Sequence, residues 1–160
     1  MKARTENGTI KTYKSLPSEY KKSDGSVILN FKKASTEVLE AEGFYDVVVP
    51  SYNGKTKVLG DIEWDADNSQ FTYPVSNKTW SETLSELKER KIENLKAIYN
   101  QKLAQTDWYI TRKQEKGTAI PSDIQTERDN LRSECATKEG EINAKTTKAQ
   151  VADYDLPDAI

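Results

Sequence analysis

Histidine is absent from this 160-residue chain. That removes Ser-His and Cys-His nucleophile pairs and every imidazole metal ligand. Cysteine occurs once, at Cys135, which excludes an internal disulfide and a cysteine-based structural zinc site. Long apolar runs are also missing: none approaches the ~20 residues that a membrane helix needs. The start, Met1-Lys2-Ala3-Arg4-Thr5-Glu6, leads into no apolar segment, so no signal peptide is expected and synthesis in the cytoplasm follows. No excess of positive charge is present either; the net charge of −2 argues against generic nucleic-acid binding. Neither a P-loop nor a Gly-x-Gly-x-x-Gly run occurs. Hydrophobic residues make up 35%, against ~45–50% (a figure that counts glycine) in an average domain. So lean a composition suits an elongated hairpin, or a protein whose surface is finished by neighbours.

Against these absences stands one well-patterned stretch, Thr79 to Ile142. Thr79 with Glu82 has the spacing of a capping box. Leu84, Leu87, Ile92, Leu95, Ile98, Tyr99 and Leu103 then recur at helical spacing, with charged residues between them. A break is expected at Lys116-Gly117-Thr118-Ala119-Ile120-Pro121, because Gly117 tolerates the left-handed conformation and Pro121 disfavours helix at Ile120. Ser122, with Gln125, is the expected cap of a second helix, whose stripe Ile124, Leu131, Cys135 and Ile142 is as narrow as a coiled-coil seam. Together these predict a helical hairpin over residues 77–145. Cys135 on that stripe reads as a small core residue.

The first half reads as a small α+β domain over 13–76, preceded by a polar arm, 1–12. Asp24-Gly25 marks a turn. Residues 35–42 predict a short helix with Val38 and Leu39 inward and Gly43 as its stop. Runs at 44–49, 57–64 and 70–75, separated by Asn53-Gly54 and by Asp65-Ala66-Asp67-Asn68, predict a three-stranded antiparallel meander. The fold class expected is therefore α+β: a small β-meander with a short helix, then a long C-terminal helical hairpin. Residues 146–160 form an acidic tail, either a frayed terminus or a docking peptide presenting Tyr154 and Leu156.

Chemistry-bearing patterns are few. Asp65-x-Asp67-x-Ser69 opens like a calcium loop, but Gln70 and Ser76 stand where glycine and glutamate belong, so it reads as a hairpin turn. Asp61 and Glu63 share a strand face as a possible carboxylate pair, or simply as a solvated face. Asn7-Gly8-Thr9 and Asn77-Lys78-Thr79 match the glycosylation pattern by chance. No catalytic residue, cofactor or metal is expected. Trp108, Tyr109 and Arg112 admit two readings: aromatics that cover the open end of the hairpin, or a partner-binding hot spot. Ile124 and Leu131 join them as candidate contact residues on the second helix.

The run Leu103-Ala104-Gln105-Thr106-Asp107-Trp108-Tyr109-Ile110-Thr111-Arg112, followed by Gly117, Ile120-Pro121, Arg128 and Leu131-Arg132, resembles a helical segment of tailed-bacteriophage proteins. These are tail-fibre assembly chaperone-like proteins and small virion proteins. The front of the chain, with Leu16-Pro17 and the run from Phe44 to Pro50, is similar to small fibre-associated phage proteins. The resemblance implies a virion structural protein, fibre- or tail-associated, that acts by protein contact. The alternative it implies is a tail-fibre assembly chaperone absent from the mature particle. Implied partners are other phage structural proteins or further copies of the chain, with no nucleic acid and no membrane.

Overall fold

The first residues of the chain pair with one another. Strands β1 (Lys2–Glu6) and β2 (Thr9–Tyr13) form an antiparallel hairpin in the computed structural model, which describes residues 1–159. Asn7 and Gly8 join them, both at positive φ (50° and 78°), the backbone a tight hairpin turn needs. The expected arm at 1–12 is thus a structural hairpin. Its one fully buried residue is the small Ala3, and the half-buried Lys2, Arg4 and Glu6 are charged, so no alternation of large apolar residues announces it.

The chain divides into two compact units, Met1–Lys78 and the residues from Thr79 onward. In the first unit, β1 also pairs antiparallel with β5 (Tyr45–Val48). β5 pairs parallel with β8 (Gln70–Thr72), and β8 antiparallel with β7 (Glu63–Asp65). The five-stranded order is β2-β1-β5-β8-β7. β3 (Glu19–Lys21) with β4 (Val27–Leu29), and β6 (Lys57–Leu59) with β9 (Val75–Asn77), form separate ladders. The α+β class is as expected, whereas the strand pairing is not a meander. Asn53-Gly54 makes a local turn, with the Asn53 carbonyl accepting from Thr56 and Lys57, and does not fold β5 back on β6. The Asp65–Asn68 turn does join β7 to β8.

Helix α1 (Thr36–Ala41) buries Leu39 and ends before Gly43 at φ +80°; Val38, expected inward, faces outward. The core of the unit is aromatic. Phe31 stacks on Tyr20 at 4.6 Å, and Phe44 meets Tyr13, Tyr20 and Phe31 edge-on at 5.1–5.4 Å. The Arg4 guanidinium lies over the Tyr20 and Phe44 rings and bonds to the Tyr20 hydroxyl. Glu6 accepts from the Tyr13 hydroxyl at 2.5 Å and pairs with Lys11 at 2.7 Å. These bonds hold the Glu6 carboxyl below its ordinary range, Lys11 first and Tyr13 next.

In the second unit, helix α2 (Leu84–Ala104) starts one turn later than expected. Thr83 and Glu86 form the capping box, in place of Thr79 and Glu82. The expected single first helix breaks at Gln105-Thr106, and α3 (Asp107–Lys116) follows. Gly117 closes α3 at φ +68°, its N–H bonded to Lys113. Helix α4 (Ser122–Asn143) begins on Pro121 as its cap residue, so Ser122 is the first helical residue and makes no side-chain cap. Pairs between Lys96 and Glu139, and between Lys88 and the Asn143 carbonyl, set α2 and α4 antiparallel.

The residues after α4 are not a loose tail. Thr147 and Gln150 cap α5 (Lys148–Asp153), whose Val151 is fully buried. Val151 joins Leu87, Leu95, Tyr99 and Ile142 in the core, with Cys135, Tyr154 and Leu156 packed against it. Ile160, the end of the expected tail, lies outside the described residues. Among the described residues, no helix is long and apolar enough to cross a membrane.

Candidate interaction surface

The break between α2 and α3 is organised by Arg128 of α4. Its Nη1 donates to the Leu103 carbonyl at 2.8 Å and to Thr106 Oγ1 at 2.6 Å, and its Nη2 donates to Asp107 Oδ1 at 2.9 Å. The Arg128 side chain is only 8% exposed, while Asp107 is 60% exposed. Leu103 is among the last residues of α2, where carbonyls lose their helical partners. The Thr106 N–H and hydroxyl also donate to that carbonyl, both at 3.1 Å. A cation at a helix C-terminus is favourable in charge as well as in hydrogen bonding. One arginine thus ends α2 and, through Asp107, fixes the first turn of α3.

That turn carries Trp108 and Tyr109. Their ring centroids are 3.8 Å apart, and the Arg112 guanidinium lies 4.7 Å from the Trp108 ring centre and 5.3 Å from that of Tyr109. Trp108 is 52% exposed and the neighbouring Ile110 is 41% exposed. Tyr109 is half-buried, and among the described residues neither ring belongs to a buried hydrophobic cluster. Beside them a depression of about 160 Å³ between α3 and α4 is lined by Ile110, Lys113, Ile120, Arg128, Asp129 and Arg132.

The other expected contact residues are placed differently. Ile124 is half-buried on α4. Leu131 packs on the core and also lines a groove of about 320 Å³ between α2 and α4, with Tyr99, Leu103, Cys135 and Ala136. Tyr154 and Leu156 are used internally: both pack on the core, and the Tyr154 hydroxyl donates to Glu141 at 2.6 Å. Burial first, then that bond, pushes the Tyr154 hydroxyl up to about 12. An internal role replaces the expected docking peptide because Val151 draws the segment onto the core. Burial likewise pushes the Cys135 thiol up, consistent with a packing residue.

Arg128 is the site residue that residue patterns alone did not single out. The signal was available: Ile124, Arg128, Leu131 and Cys135 are spaced four, three and four, so the arginine occupies a stripe position. The stripe looked narrow because one of its inward positions is a buried cation. In the first unit, the Asp65 carboxylate is occupied by its own turn, accepting from Asn68 and Gln70 at 2.9 and 3.2 Å. Those bonds, Asn68 first, lower its pKa. Asp61 and Glu63 are both exposed.

No family model matches this chain, and neither do any of the curated proteins or solved structures compared with it.

Proposed function

We propose that this chain acts by protein–protein contact, without catalysis, through the face of α3 that carries Trp108, Tyr109 and Arg112. The observation that carries the reading is the half-exposed tryptophan with an arginine laid over both rings, on a helical turn held by a buried residue. Trp, Tyr and Arg dominate the energetics of protein interfaces, and rigid presentation lowers the entropy lost on docking. The resemblance of this same segment to tailed-phage proteins supports a tail- or fibre-associated virion component. The alternative is an assembly chaperone that leaves before maturation.

Quantitative mass spectrometry of purified particles against infected-cell lysate separates the two. A fixed copy number per particle supports the structural role. Presence in lysate with absence from particles supports the chaperone. Trp108→Ala tests the surface itself. Incorporation or fibre solubilisation should fall by about 30-fold in affinity terms, the size of a hot-spot loss. Helical circular dichroism should stay unchanged, because the ring is half-exposed. Wild-type incorporation and wild-type fibre yield together would remove the proposal.

A further inference from the structure

A second feature, in the first unit and independent of α3, is a concavity of about 390 Å³ lined by four lysines, Lys2, Lys14, Lys32 and Lys33, with Tyr13 and Leu16. Three separate segments bring them together. Lys2 pairs in register with Tyr13 across the β1–β2 ladder, and Lys14 follows directly. Lys32 and Lys33 lie in the 3-10 turn Phe31–Lys33, which is anchored by the fully buried Phe31 and by its N–H bond to the Ser18 carbonyl at 2.9 Å. One carboxylate answers them: Asp46 sits 3.1 Å from Lys2 Nζ, and the Lys2 side chain is only 17% exposed. Lys14, Lys32 and Lys33 have no carboxylate partner among the described residues.

Four converging lysines against the single carboxylate of Asp46, in a chain of net charge −2, leave a local excess of positive charge. Lysine binds phosphate as a compact point charge on a flexible stem, and several stems can close on one small anion. The volume lies within the range of small-ligand pockets, ~300–1,000 Å³. We infer that this concavity is a binding site for a compact, multiply charged phosphate-bearing anion of di- or triphosphate size, held by Lys14, Lys32 and Lys33, with Lys2 shared between the anion and Asp46.

Isothermal titration of the full chain with inorganic tripolyphosphate at low salt tests this. One-to-one saturable binding is expected, weakened by about fivefold for each of Lys14→Gln, Lys32→Gln and Lys33→Gln, the effect of one unit charge near the anion. Asp46→Asn should tighten binding by about the same factor, because it frees Lys2 from its competitor. A gain of affinity cannot arise from misfolding. A comparison triple, Lys21→Gln/Lys113→Gln/Lys116→Gln, should bind as the unsubstituted chain does. Absence of saturable heat, equal loss in the comparison triple, or binding of a single-stranded oligonucleotide without binding of tripolyphosphate would each overturn the assignment.

Discussion

The two units close their cores with different side chains. The first relies on rings: Phe31 and Phe44 are buried, Tyr13 and Tyr20 pack around them, and a guanidinium lies over two of the faces. The second relies on aliphatic side chains in a ladder, Leu87, Leu95, Ile142 and Val151, with Tyr99 as the single buried ring. An arginine meets each core, half-buried Arg4 in the first unit and buried Arg128 in the second, but differently. Arg4 meets aromatic faces and an ion pair beneath a sheet, whereas Arg128 meets carbonyl and hydroxyl oxygens at a helix end. Few large side chains can tie many short strands together only if each touches several others, which edge-to-face rings do. A helical hairpin presents its apolar residues at regular spacing, so aliphatic side chains suffice, and a polar clamp is needed only where the helix stops.

Substitutions can break this contrast. The largest expected effect is Phe44→Ala, which removes a ring in contact with Tyr13, Tyr20 and Phe31. Destabilisation of the first unit by about 3–5 kcal/mol is expected from urea titration, against about 2–5 kcal/mol in the second unit for Leu95→Ala. If Phe44→Ala cost under about 1 kcal/mol, the aromatic cluster would not be what holds the sheet to its neighbours.

A smaller effect is expected for Arg128→Met, which keeps the aliphatic stem and deletes the donors. Loss of about 2–3 kcal/mol should accompany fraying of α2 after Leu103 and faster amide exchange at Thr106 and Tyr109. Protection equal to the unsubstituted chain at those amides would mean that the break forms without its clamp.

The smallest effect is read by pH. The Tyr154 hydroxyl, ordinarily titrating near 10, is pushed up to about 12 by burial and by its bond to Glu141. A raised folded-state pKa means that the contribution is complete below the unfolded value and disappears as pH rises through the folded one. The second unit should therefore lose stability between pH ~10 and ~12, and Tyr154→Phe should flatten that slope. An unchanged slope in the variant would place the alkaline transition elsewhere.

Much of the helical unit was legible because its determinants are local. Apolar spacing, the glycine at 117 and the proline at 121 each act within one or two turns. The break at Thr106 was not legible, because it depends on Arg128 arriving from another helix. The strands were less legible for a related reason. In β1 the one fully buried residue is the small Ala3, and Arg4 and Glu6 are half-buried beside it, their place set by rings and partners distant in sequence. The two Asn-Gly pairs exchanged roles: Asn7-Gly8 makes the hairpin, whereas Asn53-Gly54 lies in a turn whose flanking strands pair elsewhere. Trp108, Tyr109 and Arg112 stand out by residue type, and the structure brings the three side chains together on α3. The packing of Tyr154 and Leu156 on the core was not legible because the short α5 before them buries one residue, Val151, and so leaves almost no periodic trace.

The parallel pairing of β5 with β8 also bears on how quickly the first unit reaches its structure. An antiparallel hairpin such as β1–β2 can zip from its turn within microseconds. A parallel pair has no turn to zip from. Its partners are joined through a crossover, here residues 49–69, and the ends of that crossover must meet before any contact rewards the search. The register of Val47 on Phe71 is therefore expected to form after the β1–β2 hairpin, and Trp64, 4.5 Å from Tyr45 of β5, stands where its fluorescence would time it.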